Sequence, residues 1–113
     1  MTHAALVSSV LEYLTLRGIP CSETDASRAF GQDGEPRESK VREGWPDITG
    51  CLPPHGRMLA VECKVGKDKL SDVQERMLDA LWRAGAYVIV ARSMGDVHRE
   101  LAKMGRDTGR VIG

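Results

Sequence analysis

Aromatic side chains are scarce in this chain, with one Phe, two Trp and two Tyr among 113 residues. Aliphatic residues must therefore carry any core. Net charge is absent too: sixteen Lys and Arg stand against sixteen Asp and Glu. That balance removes the strongly basic surface from which nucleic-acid binding is most simply argued, so such a partner has to be argued from a local site. The three cysteines, Cys21, Cys51 and Cys63, are odd in number and widely spaced, with no C-x-x-C, which argues against a disulfide frame and against a zinc knuckle. No apolar run approaches the ~18–20 residues of a membrane span. The opening Met1-Thr2-His3-Ala4-Ala5 lacks the basic residues that begin a secretory signal. The expectation is a protein of the reduced cytoplasm with no membrane partner. A length of 113 residues suits one domain spanning 1–113, because half of it could not form a self-sufficient core.

What is present is patterned. Residues 3–17 read as a helix, with Leu6, Val10 and Leu14 at i, i+4 and i+8 and Val7 and Leu11 beside them. Gly18 and Pro20 end it. Residues 19–30 support a strand only weakly, and the Gly-, Pro- and charge-rich residues 31–46 read as a long loop. Residues 47–52 and 58–65 look like two strands joined by Pro53-Pro54-His55-Gly56. Residues 71–84 predict a helix with Val73, Met77, Ala80, Leu81 and Ala84 on its buried face. The short apolar run 86–91 predicts a strand covered on both sides. Ser93 and Asp96 then cap a last helix with Val97, Leu101 and Met104 inward. The stretch from residue 58 to 91 has the length of a crossover joining parallel strands. The expected fold is α/β, a mixed central sheet flanked by helices in the order α-β-β-β-α-β with a C-terminal helix.

Chemistry concentrates in Glu62-Cys63-Lys64. Alternation along a strand puts Glu62 and Lys64 on one face and Val61, Cys63 and Val65 on the other. If residues 53–56 form a symmetric turn, Leu52 pairs with Arg57, and the register continued inward sets Asp47 opposite Glu62. Their Cβ atoms would then lie about 4.5–5.5 Å apart. Two carboxylates that close repel unless one is protonated or a cation lies between them. Mg²⁺ suits such a site, taking one or two carboxylates and completing its shell with water and phosphate oxygens. Lys64 beside it would steady an attacking water or the charge developing on phosphate. The arrangement asks for phosphodiester hydrolysis. The same three residues also suit a cross-strand salt bridge at a solvated sheet edge.

Pro46-Asp47, fourteen residues, then Glu62-Cys63-Lys64 resembles the PD-(D/E)XK nuclease motif. The wider pattern Gly44-Trp45-Pro46-Asp47-Ile48-Thr49-Gly50, Val61-Glu62-Cys63-Lys64, and Leu70-Ser71 with Gln74 is similar to the VRR-NUC branch of that superfamily. Its members include small stand-alone phage and bacterial nucleases similar to Holliday junction resolvases. The resemblance implies a three-layer fold of the order read above, and a metal-dependent DNA endonuclease selective for branched DNA. It implies Asp47 and Glu62 as ligands of Mg²⁺ (or Mn²⁺ in its place), with the backbone carbonyl of Cys63 joining them, and Lys64 as the catalytic lysine. Gln74 belongs to the same pattern, although Ser71-x-x-Gln74 is also a capping box, and the two roles are compatible. Many relatives carry a Glu early in the first helix. Here that position falls near His3, not Glu12, and His3 could serve as a ligand or proton carrier in its stead.

Arg37, Lys40 and Arg42 in the long loop, with Lys67 and Lys69 beyond the second strand, are candidates to grip phosphate. Trp45 either stacks on a base or covers the core. His55 and His98 read as solvated surface residues, and Cys63 as a small core residue. The two-fold character of a four-way junction suits a homodimer. The alternative is a catalytically inactive nuclease-fold module that binds DNA or protein.

Overall fold

The computed structural model describes residues 1–24 and 41–112, with side chains to residue 104. Arg37 and Lys40 therefore lie outside the described residues. Helix α1 (His3–Leu16) begins where the Thr2 hydroxyl accepts the Ala5 N–H at 3.1 Å, a side-chain N-cap. It ends at Gly18, whose φ of +77° lets the Ile19 N–H turn back to the Leu14 carbonyl at 3.0 Å. Leu6, Val7, Val10 and Leu14 are its buried residues, each contributing about 1.5–3 kcal/mol on burial.

Four strands follow: β1 (Cys21–Glu23), β2 (Ile48–Leu52), β3 (Arg57–Cys63) and β4 (Tyr87–Ala91). They form one sheet in the order β1-β2-β3-β4. The first two pairings are antiparallel, and the third is parallel. Helix α2 (Asp72–Arg83) connects the parallel pair, and α3 (Met94–Ile112) closes the chain. The sheet is mixed, as expected. Of the strand expected in 19–30, β1 is the described part, and residues 25–30 lie outside the described residues.

Alternation assigns the two faces of β3. Leu59, Val61 and Cys63 join α1 residues, Ile48, Ile89, Ala91, Val97 and Leu101 in the main core. Ala60 and Glu62, also buried, face the α2 side. Because β3 lies between β2 and β4, Glu62 stands on an inner strand and is only 2% exposed. The solvated-edge reading of the salt bridge is thereby removed.

The buried face of α2 differs from the expected one. Leu78 is buried, Val73, Gln74, Met77 and Leu81 are half-buried, and Ala80 and Ala84 are exposed. The helix is turned so that a polar residue, Gln74, sits on its inward side, where it bonds Glu62. A reading by apolar spacing alone skips that position. Helix α3 follows expectation: the Asp96 N–H meets the Ser93 hydroxyl, and Val97 and Leu101 are buried. The Arg92 N–H, donating at 2.8 Å, holds the Asp96 carboxyl below its ordinary range. Among the described residues no helix is long and apolar enough to cross a membrane.

Candidate active site

The turn between β2 and β3 sets everything downstream. Leu52 pairs with Arg57 and Ile48 with Val61, so the next step of the ladder brings Asp47 opposite Glu62. The two residues clasp each other through the backbone. The Asp47 N–H donates to Glu62 Oε1 at 3.2 Å, and the Cys63 N–H donates to Asp47 Oδ2 at 2.9 Å. Asp47 ends the β2 ladder at this point, so its side chain takes the N–H of Cys63 that a longer strand would have paired.

The remaining groups converge on these acids from separate elements. Lys64 Nζ lies 3.8 Å from Glu62 Oε2, with its side chain 14% exposed. Gln74 donates from Nε2 to Glu62 Oε2 at 3.2 Å. It also completes the capping box of α2, accepting the Ser71 N–H at 3.0 Å while its own N–H meets the Ser71 hydroxyl. One side chain thus makes both the capping bond and the bond to Glu62. From the start of α1, His3 Nε2 lies 3.1 Å from Asp47 Oδ2.

Gly44 determines how the segment before Asp47 meets α2. Its φ is +85°, and a Cβ there would stand 2.7 Å from Val73 Cγ1 and 2.9 Å from the Val73 carbonyl oxygen. Only glycine permits both the conformation and the approach. The next two residues, Trp45 (half-buried) and Pro46 (buried), then deliver Asp47 to the ladder.

Electrostatics identify the strained member of the pair. Burial, then the negative charge of Asp47, pushes the Glu62 carboxyl up to about 7, and Lys64 only partly opposes this. Burial likewise pushes the Cys63 thiol up to about 12. Cys63 is fully buried in the core, as expected, and its side chain is remote from acid–base work.

A cleft of about 490 Å³ opens beside Asp47, lined among others by His3, Thr24, Arg42, Trp45, Ser71 and Gln74. Trp45 therefore borders the site while being half-covered. Arg42, an expected phosphate contact, is exposed on the cleft wall, whereas Lys67 and Lys69 are exposed outside it. His55 and His98 are exposed, and the His98 ring packs on Tyr13 with centroids 4.3 Å apart. Thr24 has no counterpart in the sequence reading. Its N–H donates to the Asp47 carbonyl at 2.8 Å, and its buried hydroxyl has no hydrogen-bond partner among the described residues. Nothing in its neighbours marks it, because its position depends on the three-residue strand β1.

Among the described residues, no three of His, Cys, Asp and Glu gather closely enough to hold a metal ion by themselves. Asp47 shares the cleft lining with Glu23 and Glu43, while its partner Glu62 is buried.

No curated protein and no solved structure matches the chain. The VRR-NUC domain family does, over residues 19–95. That span is more than half of the chain and covers the whole sheet, Asp47, Glu62, Lys64 and Gln74. It begins after α1, so His3 lies outside it. With the mixed four-stranded sheet and its flanking helices, this match means that the chain belongs to the VRR-NUC family, which implies a nuclease-type function and DNA binding.

Proposed function

We propose that the protein is a divalent-metal-dependent DNA endonuclease, selective for branched DNA, in which Asp47 and Glu62 hold the cation and Lys64 assists hydrolysis. The observation that carries this reading is the reciprocal clasp of two carboxylates, one of them lifted toward neutrality by its burial and then by the charge of the other. Lys64 alone does not compensate the pair, and a divalent cation would. The donor set suits Mg²⁺, with Mn²⁺ able to substitute, because Mg²⁺ needs only one or two protein carboxylates. Cys63 supports the same assignment. Its N–H is directed toward Asp47, and since a strand residue turns its N–H and C=O the same way, its carbonyl faces the acids too. When bound, the cation supplies Lewis-acid polarisation of a phosphate oxygen.

The side chains then divide the work. Lys64, held by Glu62, orients a water for attack on phosphorus and offsets the negative charge that develops there. Gln74 fixes the Glu62 oxygen that Lys64 also approaches. Water adds to phosphorus as the P–O3′ bond breaks, which leaves a 5′-phosphate and a 3′-hydroxyl. Arg42 on the cleft wall, with Arg37, Lys40, Lys67 and Lys69, supplies phosphate contacts. A homodimer gives two such sites for the two-fold geometry of a four-way junction. An inactive binding module accounts less well for the complete set, in which Asp47 and Lys64 both contact Glu62.

The test is cleavage of a panel (four-way junction, flap, duplex, single strand and RNA) with Mg²⁺, Mn²⁺ or EDTA, alongside sedimentation of the free protein. Metal-dependent cutting that favours the junction, by a dimer, is expected. Absence of cutting on every substrate, together with no metal-dependent calorimetric signal, would establish the binding-module alternative.

A further inference from the structure

We propose that the cleft beside Asp47 takes one unpaired nucleobase of the DNA, stacked on Trp45, so that a nucleotide flanking the scissile phosphate must lie outside the duplex. This rests on the reading that Asp47 and Glu62 form a centre that cuts DNA, and it names what that centre recognises in a branched substrate.

Trp45 is the residue that packing leaves unexplained. The main core, with the half-buried side chains packed against it, forms without Trp45. Among the described residues its ring meets no other aromatic ring, and its indole N–H has no hydrogen-bond partner. Its backbone, by contrast, is held. The Trp45 N–H donates to the Arg42 carbonyl at 3.1 Å and closes a turn in which Gly44 takes a φ of +85°, as the third residue of a type II turn does. Gly44 rests on Val73 of α2, and Pro46 behind the ring is buried. The ring is thus half-exposed on a fixed platform, in the lining it shares with Asp47. Thr24 ties a further part of that lining to Asp47, its N–H donating to the Asp47 carbonyl at 2.8 Å.

Size and charge then select the occupant. At about 490 Å³ the cleft falls within the range of small-ligand sites, about 300–1,000 Å³, which suits one nucleotide and excludes a duplex. Glu23 and Glu43, which take no part in holding the proposed cation, outnumber Arg42 among the described lining residues. Such a lining repels further phosphates, whereas its carboxylates accept N–H groups from the edge of a base. Arg42 remains for the phosphate of the same nucleotide. Inside a duplex both faces of a base are covered by its neighbours, so an indole stacks only on a base that has left the helix. Extrusion costs least where the base is already unpaired, which favours branched and bulged DNA over plain duplex.

The probe is a fluorescently labelled duplex carrying one bulged nucleotide, compared with the same duplex fully paired and with an abasic residue at the bulge. Anisotropy in EDTA reads binding apart from cutting. The unaltered protein should bind the base-bearing bulge about fivefold or more tightly than the abasic one, the lower end of what one base stacked on an aromatic side chain is worth. Trp45→Ala should erase that difference yet bind the abasic duplex as the unaltered protein does, which also shows that the variant folds. Trp45→Phe should restore most of the difference. In Mg²⁺ or Mn²⁺ the cut should map to a phosphate beside the bulge. Equal binding of the base-bearing and abasic bulges, or a difference that survives in Trp45→Ala, overturns the proposal; metal-dependent cutting in that case shows that the nuclease reading stands without it. A difference that depends on Trp45, with no cutting in either metal, supports the base cleft and overturns the nuclease reading. Failure to bind any of the three duplexes overturns both.

Discussion

Asp47 and Glu62 hold each other by exchanging backbone contacts: each carboxylate accepts an N–H from the opposing segment, at 3.2 Å and 2.9 Å. This arrangement fixes the acids independently of any ligand. It also leaves their mutual repulsion in the folded protein, and the first prediction concerns that repulsion.

Glu62 has its pKa raised from an ordinary 4.5 to about 7, chiefly by burial and then by Asp47. Between those values the folded protein keeps a proton that the unfolded chain has lost. The folded state then binds more protons, so its stability falls as pH rises through the window. Urea unfolding in EDTA should give a more stable protein near pH 5 than near pH 8, and Glu62→Gln should flatten the slope. Added divalent cation should restore stability at the higher pH, since it favours the ionised pair. A slope unchanged in Glu62→Gln would assign the effect elsewhere.

Gln74 joins two duties that substitutions can separate. Gln74→Ala removes both the reach to the Ser71 N–H and the bond to Glu62, and should cost about 1 kcal/mol of stability. Its cleavage should fall roughly tenfold or more, the worth of a hydrogen bond to a charged group. Gln74→Glu keeps the capping box, which accepts Glu equally, but sets a third carboxylate beside Glu62. Impaired cleavage with the cap retained is the expected split. Unimpaired cleavage in both variants would leave Gln74 as a cap only.

Gly44→Ala should destabilise the protein by about 1–3 kcal/mol, the range for a strained backbone residue. Its φ of +85° disfavours any Cβ, and that Cβ would meet the Val73 carbonyl oxygen at 2.9 Å. Pairing it with Val73→Ala removes only the side-chain clash at 2.7 Å, so the double variant should recover little. Chemical denaturation of the two variants measures this, and full recovery would locate the strain in the Val73 side chain instead.

Much of this was legible in the residue order, for identifiable reasons. The four residues from Pro53 to Gly56 close the β2–β3 turn symmetrically, so the pairing of Leu52 with Arg57 carries the register to Asp47 and Glu62. Period-two alternation then sorts Glu62 from Val61 and Cys63. The α2 face departs from the expected one because Gln74 is polar yet faces inward, and hydrophobic spacing carries no information about a bond to Glu62. Contacts set by packing between distant elements were out of reach for the same reason. His3 meets Asp47 only because α1 starts beside that end of the sheet. Arg57 lies against both Trp82 and Tyr87, with its Nε on the Gly85 carbonyl, only because α2 returns beside β4. Thr24 enters the cleft through a strand too short to announce itself.

The most direct measurement is cleavage of a synthetic four-way junction in Mg²⁺ or Mn²⁺ by the unaltered protein, Asp47→Ala, Glu62→Ala and Lys64→Ala, each confirmed folded by circular dichroism. All three substitutions should lower the rate by about 100-fold or more, the scale of removing a group that stabilises transition-state charge. Calorimetric metal binding should be lost in the two acid variants and kept in Lys64→Ala. Cutting by Asp47→Ala and Glu62→Ala at rates near that of the unaltered protein would contradict the assignment of hydrolysis to this pair.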